Sequence, residues 1–209
     1  MSESYTDIGA TTQEALEISR KSRLIISDLI GDSTTEDRIR QRCVIAAGDP
    51  SVSEILKFCH DPVQAGLKAL ENGTRIFTDI KMVETGIVKK GHHSAVMTLL
   101  GTGDDLALEK GITRTSAGVL AFQNELSDAI VVIGNAPSAL MSLCELIKSG
   151  ISEPALVIGT PVGFVNADKS KELLRELDVP SISTVGTRGG TPIAVAAINE
   201  IINMYARIV

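Results

Sequence analysis

The chain has 209 residues and a formal charge of −6; 44% of its residues are hydrophobic, only 3% are aromatic, and tryptophan is absent. Its core must therefore be aliphatic, and an acidic chain without stacking rings or a polybasic run is a poor platform for nucleic acid or a membrane surface. The start of the chain lacks the charged and apolar regions of a signal peptide, and no apolar run approaches the ~20 residues of a membrane span, so a cytoplasmic protein is expected.

Residues 1–11 read as a loose N-terminal segment. Over Thr12–Ile30, Ala15, Leu16, Ile18, Leu24, Ile25 and Leu29 recur at helical spacing, and Gly31 stops the pattern. Asp32–Asp37 reads as a polar turn in which Thr35 or Asp37 caps a helix running toward Arg42. Cys43–Ala47 is a short apolar run expected as a strand, broken by Gly48-Asp49-Pro50. Ser51 then opens a helix with Val52, Ile55, Leu56 and Phe58. Asp61-Pro62 starts the next helix, with Asp61 as N-cap and Asn72-Gly73 as the stop. Arg75–Thr78 is expected as a strand, Met82–Gly86 as helix or turn, and Ala95–Leu100 as a strand. Gly101–Asp105 turns into a helix through Lys110, ended by Gly111.

From there strand and helix alternate regularly. Ser116–Leu126 is a helix, Ala129–Ile133 a strand, Pro137–Lys148 a helix and Ala155–Ile158 a strand; then come helix Asn166–Leu177, strand Ser181–Val185 and helix Thr191–Ile208. The strands are continuous apolar runs, as strands buried on both faces require. The expected fold is α/β, a mostly parallel sheet with helices on both faces, in a single domain over residues 1–209.

Ligands of an open parallel sheet bind beyond the carboxyl ends of its strands. Three late strands run into glycine-containing turns there: Gly134-Asn135-Ala136-Pro137, Gly159-Thr160-Pro161-Val162-Gly163 and Gly186-Thr187-Arg188-Gly189-Gly190. None is a P-loop or a Gly-x-Gly-x-x-Gly fingerprint, which disfavours nucleotide binding. Thr78-Asp79 ends an earlier strand, with Asp79 readable as a helix cap or a site residue. Arg114, within Thr113–Ser116, reads as an anion ligand or a helix start. The basic loop Lys89-Lys90-Gly91-His92-His93 reads as solvent-facing or as part of the same rim. Adjacent histidines point to opposite faces, His60 is the only other one, and Cys43, Cys59 and Cys144 form no Cys-x-x-Cys pair. No protein-bound metal is expected, and the cysteines read as small core residues.

Taken together these turns resemble the precorrin-8X (cobalt-precorrin-8) methylmutases of cobalamin biosynthesis, from about Ile18 to Asn203. The most specific segments are Gly134–Leu140, Pro161–Ala167 followed by Ser170-Lys171-Glu172, and Gly189-Gly190 leading into Ile193–Asn199. The resemblance implies an isomerase that moves a methyl group from C11 to C12 of a carboxylate-rich tetrapyrrole. The shift is intramolecular, so no cofactor is implied, and the cleft is completed by the partner subunit of a homodimer. The implied substrate-binding positions are Ser22, Thr78, Asp79, Lys89, Lys90, Arg114, Asn135, Ala136, Gly163, Arg188, Gly189 and Gly190.

One departure is chemical. The family's histidine, thought to protonate a ring nitrogen near the end of the first strand, aligns with Ile45, which cannot carry a proton. Three explanations follow. His92 or His93 takes over as the acid; or a shaped pocket drives the shift by positioning and electrostatics; or the protein binds a tetrapyrrole or corrinoid without isomerising it.

Overall fold

The computed structural model describes residue 10 and residues 12–208, so the expected loose segment 1–11 lies, apart from Ala10, outside the described residues. The chain begins with a helical pair, α1 (Gln13–Ile30) and α2 (Thr35–Ala47). A capping box starts α2: the Thr34 hydroxyl accepts from the Asp37 N–H at 3.1 Å, and the Asp37 carboxylate accepts from the Thr34 N–H at 3.0 Å. The cap is Thr34 rather than Thr35. The strand expected over Cys43–Ala47 is the end of this helix. Ile39 and Cys43 stand one turn apart on its buried side, nothing interrupts the hydrogen-bond ladder before Ala47, and Gly48 ends it in the left-handed region at φ 66°.

The helix expected from Ser51 is also shorter. α3 (Val52–Ile55) lasts one turn, and β1 (Leu56–Cys59) follows because its backbone pairs antiparallel with a strand formed more than 120 residues later. Then come α4 (Pro62–Glu71), β2 (Ile76–Thr78), α5 (Lys81–Gly86), β3 (Val96–Thr98), α6 (Asp104–Lys110), α7 (Arg114–Ala121) and β4 (Ile130–Ile133). The chain continues through α8 (Pro137–Lys148), β5 (Leu156–Gly159), α9 (Ala167–Arg175), β6 (Ser181–Thr184) and α10 (Thr191–Ala206). Asp61 stands at the N-cap position of α4, but its side chain makes no capping bond.

The sheet order is β1-β6-β5-β4-β2-β3, parallel throughout except for β1. Alternate residues of the central strands feed two cores. Ile130, Val132, Leu156 and Ile158 pack with α2, α4 and the long apolar α10 on one face. Val131, Ile133 and Val157 pack with α8 and α9 through Leu140, Leu143 and Leu174 on the other. This period-two division explains why the strands read as unbroken apolar runs. Cys43 and Cys144 belong to these cores, and burial pushes both thiols up to about 12, which makes them inert. Among the described residues no helix is long and apolar enough to cross a membrane.

Thr34→Ala removes the side-chain half of the α2 cap. The expected cost is about 1 kcal/mol, seen as a lower urea midpoint at unchanged slope. An unmoved midpoint would contradict the capping box.

Candidate active site

The parallel strands β2, β4, β5 and β6 all finish on one edge of the sheet. Thr78-Asp79, Gly134–Ala136, Thr160–Gly163 and Gly186–Gly190 therefore share a rim. Strand order reverses between β2 and β4, and the helices that follow them, α5 and α8, leave toward opposite faces. Such a switch point opens a crevice. Here Asp79 fills it. Its carboxylate accepts the N–H groups of Gly134, Asn135 and Ala136 at 3.2, 2.8 and 2.8 Å. Burial raises the Asp79 carboxyl above its ordinary range, against the pull of those amide bonds. The amides at the start of α8 are thus satisfied from within the chain, leaving the exposed Asn135 side chain above them. Thr78 is fully buried beneath, 3.4 Å from the Met97 and Ile80 carbonyls.

The turns after β5 and β6 are latched to each other. The Gly190 N–H donates to the Thr160 carbonyl at 2.7 Å, and the Gly163 N–H to the Thr187 carbonyl at 3.0 Å. A Cβ at Gly189 would fall on the Thr160 carbonyl oxygen, so only glycine permits this approach. Underneath lies Lys171, fully buried on α9, whose Nζ donates to the Arg188 carbonyl at 2.7 Å and to the Thr184 hydroxyl at 3.1 Å. Burial pushes its ammonium down to about 8. The Thr184 hydroxyl also donates to the Arg188 carbonyl, at 2.7 Å. With its backbone held, Arg188 extends its guanidinium to Asp49 Oδ2 at 2.6 Å and Ser51 Oγ at 2.9 Å. Hydrogen bonds from the Ser51 hydroxyl and N–H hold the Asp49 carboxyl below its usual range, with Arg188 adding to the effect. Half-buried Ile45 stands one turn before Asp49, on the last turn of α2 and not on a strand.

Arg114 opens α7 on the same edge, where the Thr113 hydroxyl meets that of Ser138, the second residue of α8, at 2.8 Å. Its guanidinium is exposed and forks onto Asp104 through two 2.9 Å bonds. Ser22 is half-buried on α1, one turn from the exposed Ile18 and Ile25.

The basic loop is elsewhere, and its placement on this rim is corrected. From the end of α5 the chain descends along α10: Asn199 donates to the Gly86 carbonyl and accepts from the Val88 N–H, both at 2.9 Å. It then enters the beginning of β3, where the Ala95 carbonyl meets the Ile76 N–H. Lys89, Lys90, His92 and His93 therefore lie toward the opposite edge of their own chain. His92 Nε2 is 2.7 Å from the Val88 carbonyl and its Nδ1 accepts from the Ser94 N–H at 3.1 Å, so both ring nitrogens are engaged by backbone. His93 is exposed.

Sequence reasoning named Lys171 only as part of a family segment, with no role, and did not pair Asp49 with Arg188. The first had a signal: Lys171 falls in the buried row Ala167, Ser170, Lys171 and Leu174 of α9. The second, with a separation of 139 positions, had none.

Asp79→Ala leaves three rim amides without their acceptor, and a loss of about 2–3 kcal/mol in urea unfolding is expected; a loss within error would remove the pinning role. Lys171 gives a pH signature. Its folded-state pKa of about 8 lies below its ordinary 10.5. Between those values the unfolded chain binds more protons, so this residue makes stability rise with pH across that window. Wild type should gain on Lys171→Met between about pH 8 and about pH 10, by on the order of 1–3 kcal/mol. A constant difference would show that Lys171 titrates normally.

The family model described as CbiC: Precorrin-8X methylmutase matches residues 17–204. The cobalt-precorrin-8 methylmutase of Methanocaldococcus jannaschii is 40% identical over 211 residues, covering 96% of this chain and 98% of the relative. The precorrin-8X methylmutase of Pseudomonas aeruginosa is 36% identical over 181 residues, covering 84% and 87%. The crystal structure of the precorrin-8X methyl mutase from Thermus thermophilus superposes with a TM-score of 0.84 at 35% identity, over 91% of this chain and 96% of that one. These likenesses take in α2, every rim turn and α10, and the chain belongs to the precorrin-8X methylmutase family.

Proposed function

We propose that the protein catalyses its family's methyl shift, from C11 to C12 of precorrin-8 or cobalt-precorrin-8, in cobalamin biosynthesis. The observation that carries this reading is the latched pair of turns after β5 and β6, which holds Arg188 at the rim by its own backbone carbonyl. A tetrapyrrole bearing many carboxylates is held by charge-assisted bonds, which Arg188 and Arg114 supply. Both guanidinium groups are paired with exposed carboxylates, Asp49 and Asp104. Exposed pairs of this kind are worth about 0–1 kcal/mol, so exchanging them for substrate carboxylates costs little. The remaining substrate positions of the reading are Ser22, Asn135, Ala136, Gly163, Gly189 and Gly190, while the fully buried Thr78 and Asp79 act from beneath, Asp79 by fixing the α8 turn.

An intramolecular shift needs no external nucleophile, and Ile45 offers no proton. Of the routes compatible with that residue, the geometry supports positioning and electrostatics best. His92 is tied to backbone at both nitrogens, and the Lys89–His93 loop reaches a substrate on this rim only across a dimer. A homodimer is part of the reading. Ile18, Ile25 and Leu29 stand 59%, 60% and 61% exposed along α1 beside Ser22, and Phe164 stands 95% exposed on the rim, apolar area that a second copy would cover. The reading places the enzyme in the cytoplasm.

Purified protein mixed with precorrin-8 or its cobalt form should develop the corrin absorption spectrum. Tight binding without conversion would leave a binder, and no binding would sink the reading. His92→Ala and His93→Ala should each keep the rate within about twofold, while Ile45→His should raise it about a hundredfold or more, the low end of what a positioned acid contributes. A hundredfold loss in either histidine variant would assign the acid to that loop.

A further inference from the structure

We infer that Asp49 is a built-in competitor for the substrate's carboxylates at Arg188, a positioning residue that sets affinity and release by acting through that guanidinium. The inference deepens the reading of the rim as the site of a carboxylate-rich tetrapyrrole, and it rests on that reading. A guanidinium offers a carboxylate two forked edges, Nε with Nη2 and Nη1 with Nη2, so Nη2 belongs to both. The first edge is in use at Arg114, whose Nε and Nη2 each donate to one oxygen of Asp104 at 2.9 Å. At Arg188 the shared nitrogen is already taken. Its Nη2 donates to Asp49 Oδ2 at 2.6 Å and to Ser51 Oγ at 2.9 Å, which occupies both of its hydrogens. A substrate carboxylate therefore gains a forked grip on Arg188 only when Asp49 gives it up.

Asp49 can compete because its own position does not depend on Arg188. Its Oδ1 accepts from the Ser51 hydroxyl at 2.7 Å and from the Ser51 N–H at 2.9 Å. Those two bonds also hold the carboxyl below its usual range, so it stays ionised at neutral pH. On the other side Lys171 and Thr184 fix the Arg188 carbonyl, so the exchange is a movement of the Arg188 side chain alone. Ser51 thus both anchors the competitor and supplies the second acceptor for Nη2. Both members of the ion pair are half-exposed, which keeps the competition mild, at up to about fivefold in affinity. A mild competitor lets the substrate in and favours departure of a product that carries the same carboxylates.

Fluorescence titration of the full chain with uroporphyrin, a stable tetrapyrrole rich in carboxylates, tests this role. Asp49→Asn keeps an acceptor for Ser51 and removes the charge, and it should bind about fivefold more tightly than wild type. Ser51→Ala keeps the charge but loosens its hold on Nη2, and should also bind more tightly. With precorrin-8 as substrate both variants should lower KM, whereas a merely damaged turn would raise it. Unchanged or weaker binding by Asp49→Asn, or no binding by any form, would overturn the inference. Tightening in Asp49→Asn with none in Ser51→Ala would reduce the effect to charge repulsion and overturn it as well. Conversion to the corrin spectrum is read separately. Conversion with unchanged affinities sinks this inference and leaves the methyl shift standing, and tightening without conversion does the reverse.

Discussion

A buried carboxylate meets three backbone amides at the point where the strand order reverses. Burying Asp79 would cost several kcal/mol without partners. The Gly134, Asn135 and Ala136 N–H groups supply them, and in return the carboxylate satisfies donors that the start of α8 would otherwise leave open. The end of β2 and the beginning of α8 become one rigid corner. α10 depends on that corner: at Gly134 an added Cβ would press on Ala194, Val83 and the Thr191 backbone, so glycine lets α10 and α5 close over the sheet there. In many open α/β sheets this crevice takes the ligand's anion; here a side chain takes it, and the ligand's charges must be met higher on the rim.

That displaces the chemistry to the neighbouring turns. The β5 and β6 turns support each other through backbone bonds and share Lys171 as a buried strut, so the Arg188 carbonyl has two donors and little freedom. A guanidinium on a fixed backbone with an exposed, exchangeable partner is well suited to an acidic substrate. Fixed geometry, rather than stored proton-transfer capacity, is what this corner offers.

The sequence made the late alternation legible because each strand there ends in a glycine turn and each helix begins with proline or a capping residue. The two early errors have a common cause. Cys43–Ala47 is five apolar residues with no breaker before them, and such a run does not separate a strand from the end of a helix. Leu56–Cys59 becomes a strand only through pairing with β6, a contact invisible to local pattern. The Lys89–His93 loop was misplaced for a related reason. α5 is six residues long, and nothing in its neighbourhood says that Asn199, more than a hundred positions later, draws the chain down toward the other edge. The rim residues were found because parallel topology collects strand ends. Their ion-pair partners were not, because Asp49 and Arg188 meet only after the sheet has formed.

Ile45 is best understood from its surroundings. It sits half-buried at the end of α2, one turn from the Asp49 that receives Arg188, where the family resemblance expects a proton carrier. The Asp49–Arg188 pair itself is open to solvent, so its carboxylate remains exchangeable. With no proton carrier at position 45, the proposed route rests on Arg188 meeting the substrate's own charges. In the proposed intramolecular shift that role asks for fixed geometry, which the Asp79 corner, the Lys171 strut and the backbone of Arg188 supply together.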